Sequence, residues 1–548
     1  MATLPYFVFS PNSIISLIGL MRGPDPTVPT PAEDWRTAKV DVIIPALNEE
    51  RTIAACLASV ARQSFRPRRV MLVDDGSRDR TIEIAEAFCT AEGLDLEVIR
   101  RAKPIGKTVS IKRQARDLDS DVEFILDGDT MLESENYIER TVEELYKAIG
   151  IASACGTIMP LRLCDRVAFD ALPAMTRFIA HRPEARLMTN KPLLPRLANA
   201  ITNTYREVLY LFLQRFVYLG QMVAFGSITN PVGCAVAYRR RYVKDLFDKY
   251  TPIFGDDLTN SEDIFIGFAL ANEGYRNIQL TDVYARTVEP EVQRLPRQLN
   301  LWSSSFLQCC YYFDDLLRSA PRGIKAKFSR RSNPPQSGTG TRAKVALGAP
   351  EPALVTAARA KARAHLREGY GGQGLALATV GNEISFPAVL PGQSPVGPPD
   401  TGVIRRTIAQ PAGPTSPERG AAAEGTGIDR RRIAEPYRQR FGTEHTRRFG
   451  RPIGWVLLTS AFEKIAFPTS LAMMVILQAW EPLVVTLLAE TIVFLVALVL
   501  VTRGQRIQYL LKGISIAPMR YALLAFDLVT IGRFTRDLWI TGNRRWRK

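Results

Sequence analysis

Short apolar runs alternate with amphipathic helical patterns from residue 40 to about residue 160, and this alternation constrains the fold more than any other feature. The apolar runs read VDVIIP, RRVMLV, LDLEVI and VEFIL. Between them, apolar residues recur at helical spacing, as at Ile53, Leu57 and Val60. Buried strands that alternate with amphipathic helices form a parallel sheet covered on both faces. The sequence therefore predicts an α/β domain of this kind.

Polar side chains follow three of the four apolar runs, at the point where each run ends. They are Asn48 and Glu49, Asp75, and the pair Asp127 and Asp129 with one glycine between them. In open parallel sheets, ligands bind beyond the carboxyl ends of the strands. We therefore expect these side chains to meet around one ligand.

The Asp127-Gly-Asp129 sequence is typical of a site for a hard cation. On an extended backbone, side chains at positions i and i+2 point to the same side. Two carboxylates placed this way can hold Mg²⁺ or Mn²⁺ against a diphosphate, and the cation would neutralise charge on a departing diphosphate. Two acids in a solvated turn are the alternative interpretation.

The composition changes near residue 320. Residues 321–435 are rich in Pro, Gly, Ala and Arg and contain only three aromatic residues, so this segment cannot bury a core and is predicted to be disordered. The formal net charge is +16. We attribute this excess to the basic segment and to positive membrane flanks, and we expect no nucleic-acid partner.

The C-terminal residues are typical of membrane helices. Residues 455–480 and 482–502 are apolar and about long enough to span a bilayer. Basic residues flank both segments, which places the α/β domain on the cytoplasmic side of an inner membrane. A third segment, 514–532, contains Pro518, Arg520 and Asp527, and its basic C-terminal flank favours a re-entrant or interfacial segment.

Metal sites and nucleophiles built on histidine or cysteine are disfavoured. The three histidines lie far apart in the sequence, and the seven cysteines form no C-x-x-C pair. We interpret the cysteines as reduced thiols facing the cytoplasm.

Five motifs occur in the order found in family 2 glycosyltransferases: VIIPALNEE, VDDGSRD, LDGDT, SED and QLNLW. The segments NPVGCAVAYRR, LWSSSF and APMRYALLAFDLVTIGRFTRDLWITGNRR resemble the hyaluronan, chitin and chitooligosaccharide synthase branch of that family. The resemblance covers about residues 40–310 and 450–548. It implies a GT-A-like, Rossmann-type cytoplasmic domain followed by transmembrane helices.

The changes in composition and the extent of the resemblance together divide the chain into four regions. These are an N-terminal apolar or interfacial segment (1–39), a glycosyltransferase domain (40–310), a low-complexity basic insertion (311–450) and transmembrane or interfacial helices (451–548).

Roles for individual residues follow from the resemblance. Asp263, next to Glu262, would be the general base on an acceptor hydroxyl, and Asp127 and Asp129 would bind the metal and the nucleotide diphosphate. The remaining donor contacts would be Pro45, Asn48, Glu49 and Asp75 at the nucleoside and Lys107 at phosphate or ribose. The acceptor contacts would be Gly233, Cys234, Gln298 and Trp302.

The base assignment has a rival in the sequence GDD at 255–257, which resembles the Gly-Asp-Asp-Arg of the synthases. We prefer Asp263 because it opens a predicted helix, and a helix N-terminus favours the carboxylate form. Nearby Asp256, Asp257 and Glu262 would push its pKa back toward working pH.

The chain departs from the family pattern at Leu301, where an arginine that binds the diphosphate is expected. Arg294 or Arg297 would have to supply the missing guanidinium. This departure bears on processivity more than on sugar transfer itself.

These features predict an inverting hexosyltransferase that uses a UDP-sugar with Mg²⁺ or Mn²⁺. It would extend a β-linked polysaccharide and pass it along a polar path lined by Glu463, Lys464, Glu490 and Arg520, with an oligomer or accessory subunit as a further expectation. One alternative is a single sugar transfer to a lipid carrier or glycolipid. An alternative of another class is a basic, membrane-tethered binder of nucleic acid or anionic lipid.

Overall fold

The structure is a computed structural model. It describes residues 11–22, 34–147, 150–188, 192–244, 246, 261–273, 275–313, 316–318, 404–407, 453–502 and 504–541.

Nine strands form one sheet in the order β5-β8-β6-β7-β4-β1-β2-β3-β9. The strands are β1 (Val40–Ala46), β2 (Arg69–Asp74), β3 (Leu96–Arg100), β4 (Val122–Leu126), β5 (Thr130–Leu132), β6 (Ile151–Pro160), β7 (Ala235–Arg239), β8 (Arg276–Thr287) and β9 (Ile404–Thr407).

The sheet is mixed, which corrects the prediction of a parallel sheet. Strands β4, β1, β2 and β3 are parallel to one another, as predicted. Strand β7 runs antiparallel to β4 and to β6, and β8 is parallel to β6. As a result, the carboxyl ends of β1, β2, β4 and β8 lie at one edge of the sheet, together with the start of β7.

Fourteen helices accompany the sheet in the described part of the chain. They are α1 (Pro11–Arg22), α2 (Ile53–Ala61), α3 (Thr81–Glu92), α4 (Lys107–Asp117), α5 (Tyr137–Lys147), α6 (Leu163–Asp170), α7 (Pro173–His181), α8 (Leu193–Phe212), α9 (Leu219–Phe225), α10 (Glu262–Glu273), α11 (Leu295–Tyr312), α12 (Ile453–Ile476), α13 (Trp480–Val501) and α14 (Arg506–Thr535). A π-helical segment, Leu213–Tyr218, joins α8 to α9.

Strand β1 shows how the central strands are buried on both faces. Val42 and Ile44 pack into an apolar cluster with helices α2, α3 and α5, whereas Ile43 packs into a second cluster with α4, α10 and α11. Side chains alternate between the two faces of a strand, so a strand covered on both sides is apolar throughout. The predicted double covering of the sheet is therefore confirmed.

One face of the N-terminal helix α1 packs against α9 and α12, while Ile14, Leu17 and Met21 on it are exposed. At Gly220 of α9, an added Cβ would approach Cα of Ser16 to 2.3 Å, so glycine permits this close helix contact. Asn12 donates to Glu463 over 3.0 Å and to Ser460 over 2.9 Å.

Two C-terminal helices, α13 and α14, are long and apolar enough to cross a membrane by length and composition. The sequence predicted the segments now seen as α12 and α13 to span, and treated 514–532 as a separate re-entrant or interfacial piece. The structure instead places 514–532 inside the continuous helix α14, with Pro518 within it. Helix α12, which carries Glu463 and Lys464, does not meet the same criterion of length and apolar composition.

Strand β9 comes from the segment predicted to be disordered. Residues 404–407 pair antiparallel with β3. The rest of 321–435 lies outside the described residues, so the prediction is corrected for these four residues alone.

Candidate active site

Two loops at the carboxyl edge are hydrogen-bonded to each other and fix the position of Glu49. The backbone of Asn48 is left-handed, with φ of 60°, a conformation that asparagine tolerates better than most residues. The Asn48 amide donates to the Ser77 hydroxyl over 2.9 Å, and the Arg78 amide donates to the Asn48 side chain over 2.9 Å. The Glu49 amide donates to the Thr81 hydroxyl over 2.7 Å. Pro45 lies one residue before the end of β1.

The two aspartates of the Asp-Gly-Asp sequence lie in a turn, not on an extended strand. The Thr130 amide donates to the Asp127 carbonyl over 2.9 Å, which closes a four-residue turn after β4. The expectation of an extended backbone was therefore wrong, although both carboxylates stay at the predicted edge.

The side chain of Glu49 lies close to Gly128, the glycine between the two aspartates. A Cβ added at Gly128 would lie 3.1 Å from Cγ of Glu49. Burial raises the pKa of Glu49 to about 7, and the charge of Asp127 adds to the rise. Burial also holds the pKa of Asp129 well above its ordinary value, with further contributions from Asp127 and Glu49. The turn and Glu49 thus concentrate negative charge in a small volume.

Lys107 connects this turn to helix α10. Its ammonium lies 2.7 Å from Oδ1 of Asp127 and 2.6 Å from Oε1 of Glu262, and it donates to the Gly233 carbonyl over 3.2 Å. Burial opposes the charged form, but the two carboxylates hold the pKa of Lys107 well above its usual range. The predicted donor and base residues therefore meet at one lysine.

Asp263 lies in the first turn of α10, as the sequence predicted. Its carboxylate accepts from the Ile264 amide over 2.8 Å and from the Gly233 amide over 3.3 Å. Burial raises its pKa to about 7, and the neighbouring charge of Glu262 contributes. A carboxyl group with this pKa suits a general base near neutral pH. The rival residues Asp256 and Asp257 lie outside the described residues.

Gly233 permits the close approach between β7 and α10. An added Cβ at Gly233 would lie 2.7 Å from Cβ of Asp263. Cys234, the next residue, accepts at its carbonyl from the Asp127 amide over 2.9 Å. Both predicted acceptor residues therefore hold the turn and the base together in this structure.

Asp75 is engaged by a loop from the following strand. Its two carboxylate oxygens accept from the Ile105 and Gly106 amides, each over 2.8 Å, and Arg101 lies 3.1 Å away. Oδ2 accepts one of these hydrogen bonds only, so it retains capacity to accept another from a nucleoside.

Gln298 and Trp302 share a buried arginine that the sequence analysis did not identify. Arg206 of α8 is fully buried, donates to Gln298, and lies 4.6 Å from the Trp302 ring centroid. Its Nε lies 3.3 Å from the carboxylate of Glu289. Arg206 is thus a guanidinium beside the Gln-x-x-Leu-Trp sequence, and the assignment of Arg294 or Arg297 to the diphosphate stays a prediction.

Glu289 was also missed, although a signal existed. It follows the carboxyl end of β8 by two residues, as Asp127 and Asp129 follow β4. With Glu49, Asp129 and Gln298 it lines a cleft of about 1000 Å³.

The residues present suit a divalent cation. Asp127 and Asp129 supply carboxylate oxygens, the ligands that Mg²⁺ and Mn²⁺ prefer. Burial raises the pKa of Asp129, the charges of Asp127 and Glu49 add to the rise, and a bound cation would offset that charge. Among the described residues there is no group of three or more potential metal ligands, so nucleotide oxygens would have to complete the coordination.

Acids at the carboxyl edge of a mixed α/β sheet, a turn after β4 and a buried carboxyl group at the start of α10 accompany a GT-A-like glycosyltransferase fold. Residues 41–160 match the family model for glycosyl transferase family 2. The chain therefore carries a family 2 glycosyltransferase domain, which confirms the resemblance inferred from the motifs.

Curated relatives have the same type of name. An N-acetylglucosaminyltransferase of Sinorhizobium fredii is 28% identical over 255 residues, which are 46% of this chain and 53% of the relative. An N-acetylglucosaminyltransferase of Rhizobium leguminosarum bv. viciae is 25% identical over 284 residues, 50% of this chain and 58% of the relative. The chain thus spans a little over half the length of these relatives.

Solved structures give a weaker likeness. A mannosyltransferase from Pyrobaculum calidifontis, solved with GDP-Man and Mn²⁺, is 16% identical, covering 66% of this chain and 88% of that one with a TM-score of 0.32. No conclusion about this chain rests on it.

Proposed function

We propose that this protein is an inverting, divalent-cation-dependent hexosyltransferase that takes its sugar from a UDP-sugar. The observation that carries the proposal is the Lys107 bridge, since one ammonium joins Asp127 of the Asp-Gly-Asp turn to Glu262, the residue before Asp263. This contact brings the site for a diphosphate and the candidate base to adjoining positions.

In the proposed reaction, Asp263 removes the proton of an acceptor hydroxyl. The acceptor oxygen forms a new bond to the anomeric carbon from the face opposite UDP, and the bond from that carbon to the β-phosphate oxygen breaks, with the electron pair leaving on UDP. Lys107 stabilises the added negative charge by proximity. A cation held by Asp127 and Asp129 would supply further neutralisation of the leaving diphosphate.

N-acetylglucosamine is the first sugar to test, because both rhizobial relatives are named N-acetylglucosaminyltransferases. We place the domain at the cytoplasmic face of an inner membrane, with α13 and α14 as spans. The apolar composition and length of these two helices support this placement.

Two acceptor classes remain from the sequence. Extension of a β-linked polysaccharide is supported by the likeness to the synthase branch. A single transfer to a lipid-linked acceptor is favoured because charges that were expected to line a polar path are paired with one another. Arg520 pairs with Glu490 between α14 and α13, and Lys464 lies 3.3 Å from Asp527 between α12 and α14. These charges therefore serve as contacts between helices.

The test is UDP release by the purified full-length protein with UDP-N-acetylglucosamine, UDP-glucose, UDP-galactose or UDP-glucuronic acid, each with Mg²⁺ or Mn²⁺. The proposal expects release with one donor that stops on addition of EDTA. Release from none of these donors, with or without membrane lipid extract as acceptor, would contradict it.

A further inference from the structure

The cleft that begins at the transfer site has three chemically different parts. Its first part is acidic and contains Glu49, Asp129 and Glu289. Other lining residues are basic, and on helix α8 the basic Arg196 lies between the apolar Leu193 and Leu197. The cleft thus offers acidic, basic and apolar groups, as an amphipathic ligand would require.

The basic part combines two paired cations with three that have no ion-pair partner among the described residues. The residues that line it are Arg162, Arg166, Arg196, Arg294 and Lys512. Arg162 is paired with Asp165, and Lys512 with Glu207. No carboxylate of the described residues lies within salt-bridge distance of Arg166, Arg196 or Arg294. These three guanidinium groups therefore face the cleft with their charge uncompensated by an ion pair.

Arg166 is the most informative of the three. It is half-buried, and its one hydrogen bond is a long contact of 3.4 Å to the Leu187 carbonyl. Burial lowers its pKa, and the charge of Asp170 offsets this only in part. Withdrawing a cation from water costs free energy unless an anion compensates it. A phosphate in the cleft would supply that anion.

Apolar side chains continue the cleft along α8. Leu193 and Leu197 line the cleft and are 79% and 57% exposed, and Ile201 on the same helix face is 48% exposed. Residues four apart in a helix share one face. Contiguous exposed leucines of this kind mark a surface that binds an apolar ligand.

The lining of the cleft does not suit a neutral sugar polymer. Aromatic rings provide the flat apolar surfaces on which sugar rings stack, yet no aromatic side chain occurs among the described residues that line this cleft. Trp302, the predicted stacking residue, packs instead against Arg206.

We propose that this cleft binds an acceptor in which a phosphate or diphosphate joins a lipid tail to the sugar that receives the new residue. The proposal rests on the proposed function, which it deepens by naming the acceptor class. The acceptor sugar would lie in the acidic part of the cleft, beside Asp129 and Glu289, with its reactive hydroxyl directed toward Asp263. The phosphate would lie at Arg166, Arg196 and Arg294, and the tail along Leu193 and Leu197. The acceptor phosphate keeps all its bonds, because the bonds that break are the donor C1–O bond and the acceptor O–H bond, whose proton passes to Asp263.

The test compares two synthetic acceptors that differ in one group: dodecyl diphospho-N-acetylglucosamine and dodecyl β-N-acetylglucosaminide. The full-length protein in detergent is given the donor that supports UDP release, and transfer to each acceptor is followed over a range of concentrations. We expect the KM for the diphosphate acceptor to be at least about tenfold lower, since charge-assisted contacts are the stronger ones.

Variants of the cleft residues test whether the cleft causes the lower KM for the diphosphate acceptor. Arg196→Glu should raise the KM for the diphosphate acceptor about tenfold and leave the KM for the neutral glycoside unchanged. Arg66→Glu, an equal charge change at an exposed arginine on the opposite edge of the sheet, is the matched control. Leu193→Ser combined with Leu197→Ser should raise the KM for the dodecyl acceptor and not for its butyl analogue.

Equal KM values for the two dodecyl acceptors, or an Arg196→Glu variant that behaves like Arg66→Glu, would overturn this inference. UDP release with a neutral acceptor such as chitotetraose would then still support the proposed function. Loss of UDP release with every acceptor would count against the proposed function itself.

Discussion

Carboxylates occur in two arrangements in this molecule, and the difference separates binding from structure. At the carboxyl edge of the sheet, Asp127 and Glu262 share one cation, Lys107, with Asp129 and Glu49 close by. Between the C-terminal helices, Glu490 and Asp527 each meet a cation of a neighbouring helix.

The two arrangements have different energetic consequences. A matched ion pair between helices is satisfied by the fold and needs nothing from outside. Burial, together with mutual repulsion, raises the pKa values of the surplus carboxylates Glu49 and Asp129, so a bound cation would stabilise the folded chain. The surplus therefore indicates a ligand site, whereas the matched pairs indicate contacts that hold helices together.

The largest expected effect comes from removing the surplus carboxylates Asp127 and Asp129. Asp127→Asn combined with Asp129→Asn should lower the rate of UDP release at least about 10³-fold, because the leaving diphosphate loses its neutralising cation. The thermal unfolding midpoint should not fall, since carboxylate repulsion is relieved. Excess Mn²⁺ should restore EDTA-treated wild type and not the variant; restoration of both would refute the assignment.

Removal of the candidate base, Asp263, should have the second-largest effect on the rate. Asp263→Asn should lower the rate of sugar transfer about 10²- to 10³-fold while leaving donor binding intact. The matched change, Asp257→Asn, should have a much smaller effect on the same rate. If only Asp257→Asn abolishes transfer, the base has been assigned to the wrong residue.

The pH dependence sharpens the assignment of Asp263. A base must be deprotonated, and its pKa is raised to about 7, so the rate should fall about tenfold per unit below pH 7 and level off above it. Glu262 and Lys107 carry charge near Asp263, with Tyr218 and Tyr238 as further titratable neighbours. Glu262→Gln removes a like charge and should move the inflection to lower pH; an unmoved inflection would assign it elsewhere.

The matched pairs can be tested by breaking one and then removing it. Arg520→Leu leaves Glu490 without its cation, with only the Tyr521 hydroxyl as a partner among the described residues, and should lower the free energy of unfolding by about 3 kcal/mol. Arg520→Leu with Glu490→Leu should recover most of this loss, measured by thermal unfolding in detergent. A double variant that unfolds normally but no longer forms product would show that these charges act on the substrate.

The smallest effect is expected at Arg206, which forms an ion pair with Glu289 within the domain. Arg206→Lys keeps the charge toward Glu289 but loses the planar contact with Trp302. We expect the KM for the acceptor to rise about tenfold with donor-only UDP release unchanged. Arg66→Lys provides the control, and a fall in kcat with constant KM would contradict a positioning role.

The local pattern of the sequence was sufficient for the first half of the domain. The alternation of strands and helices, the acidic strand ends and the N-terminal place of Asp263 all follow from periodicity and neighbouring residues, and the structure has them where they were predicted. These features depend on contacts within a few residues, which a single sequence displays directly.

Only the tertiary structure decided the rest. It turned the outer strands into a mixed sheet, made the Asp127–Thr130 segment a turn, joined 514–532 into α14, and placed Arg206 and Glu289 beside Gln298 and Trp302. Each of these depends on residues far apart in the chain, such as Arg206 and Glu289 or Asp127 and Cys234. The sequence shows which groups carry charge, but their partners are set by packing, and packing determines whether a charge binds a ligand or another residue.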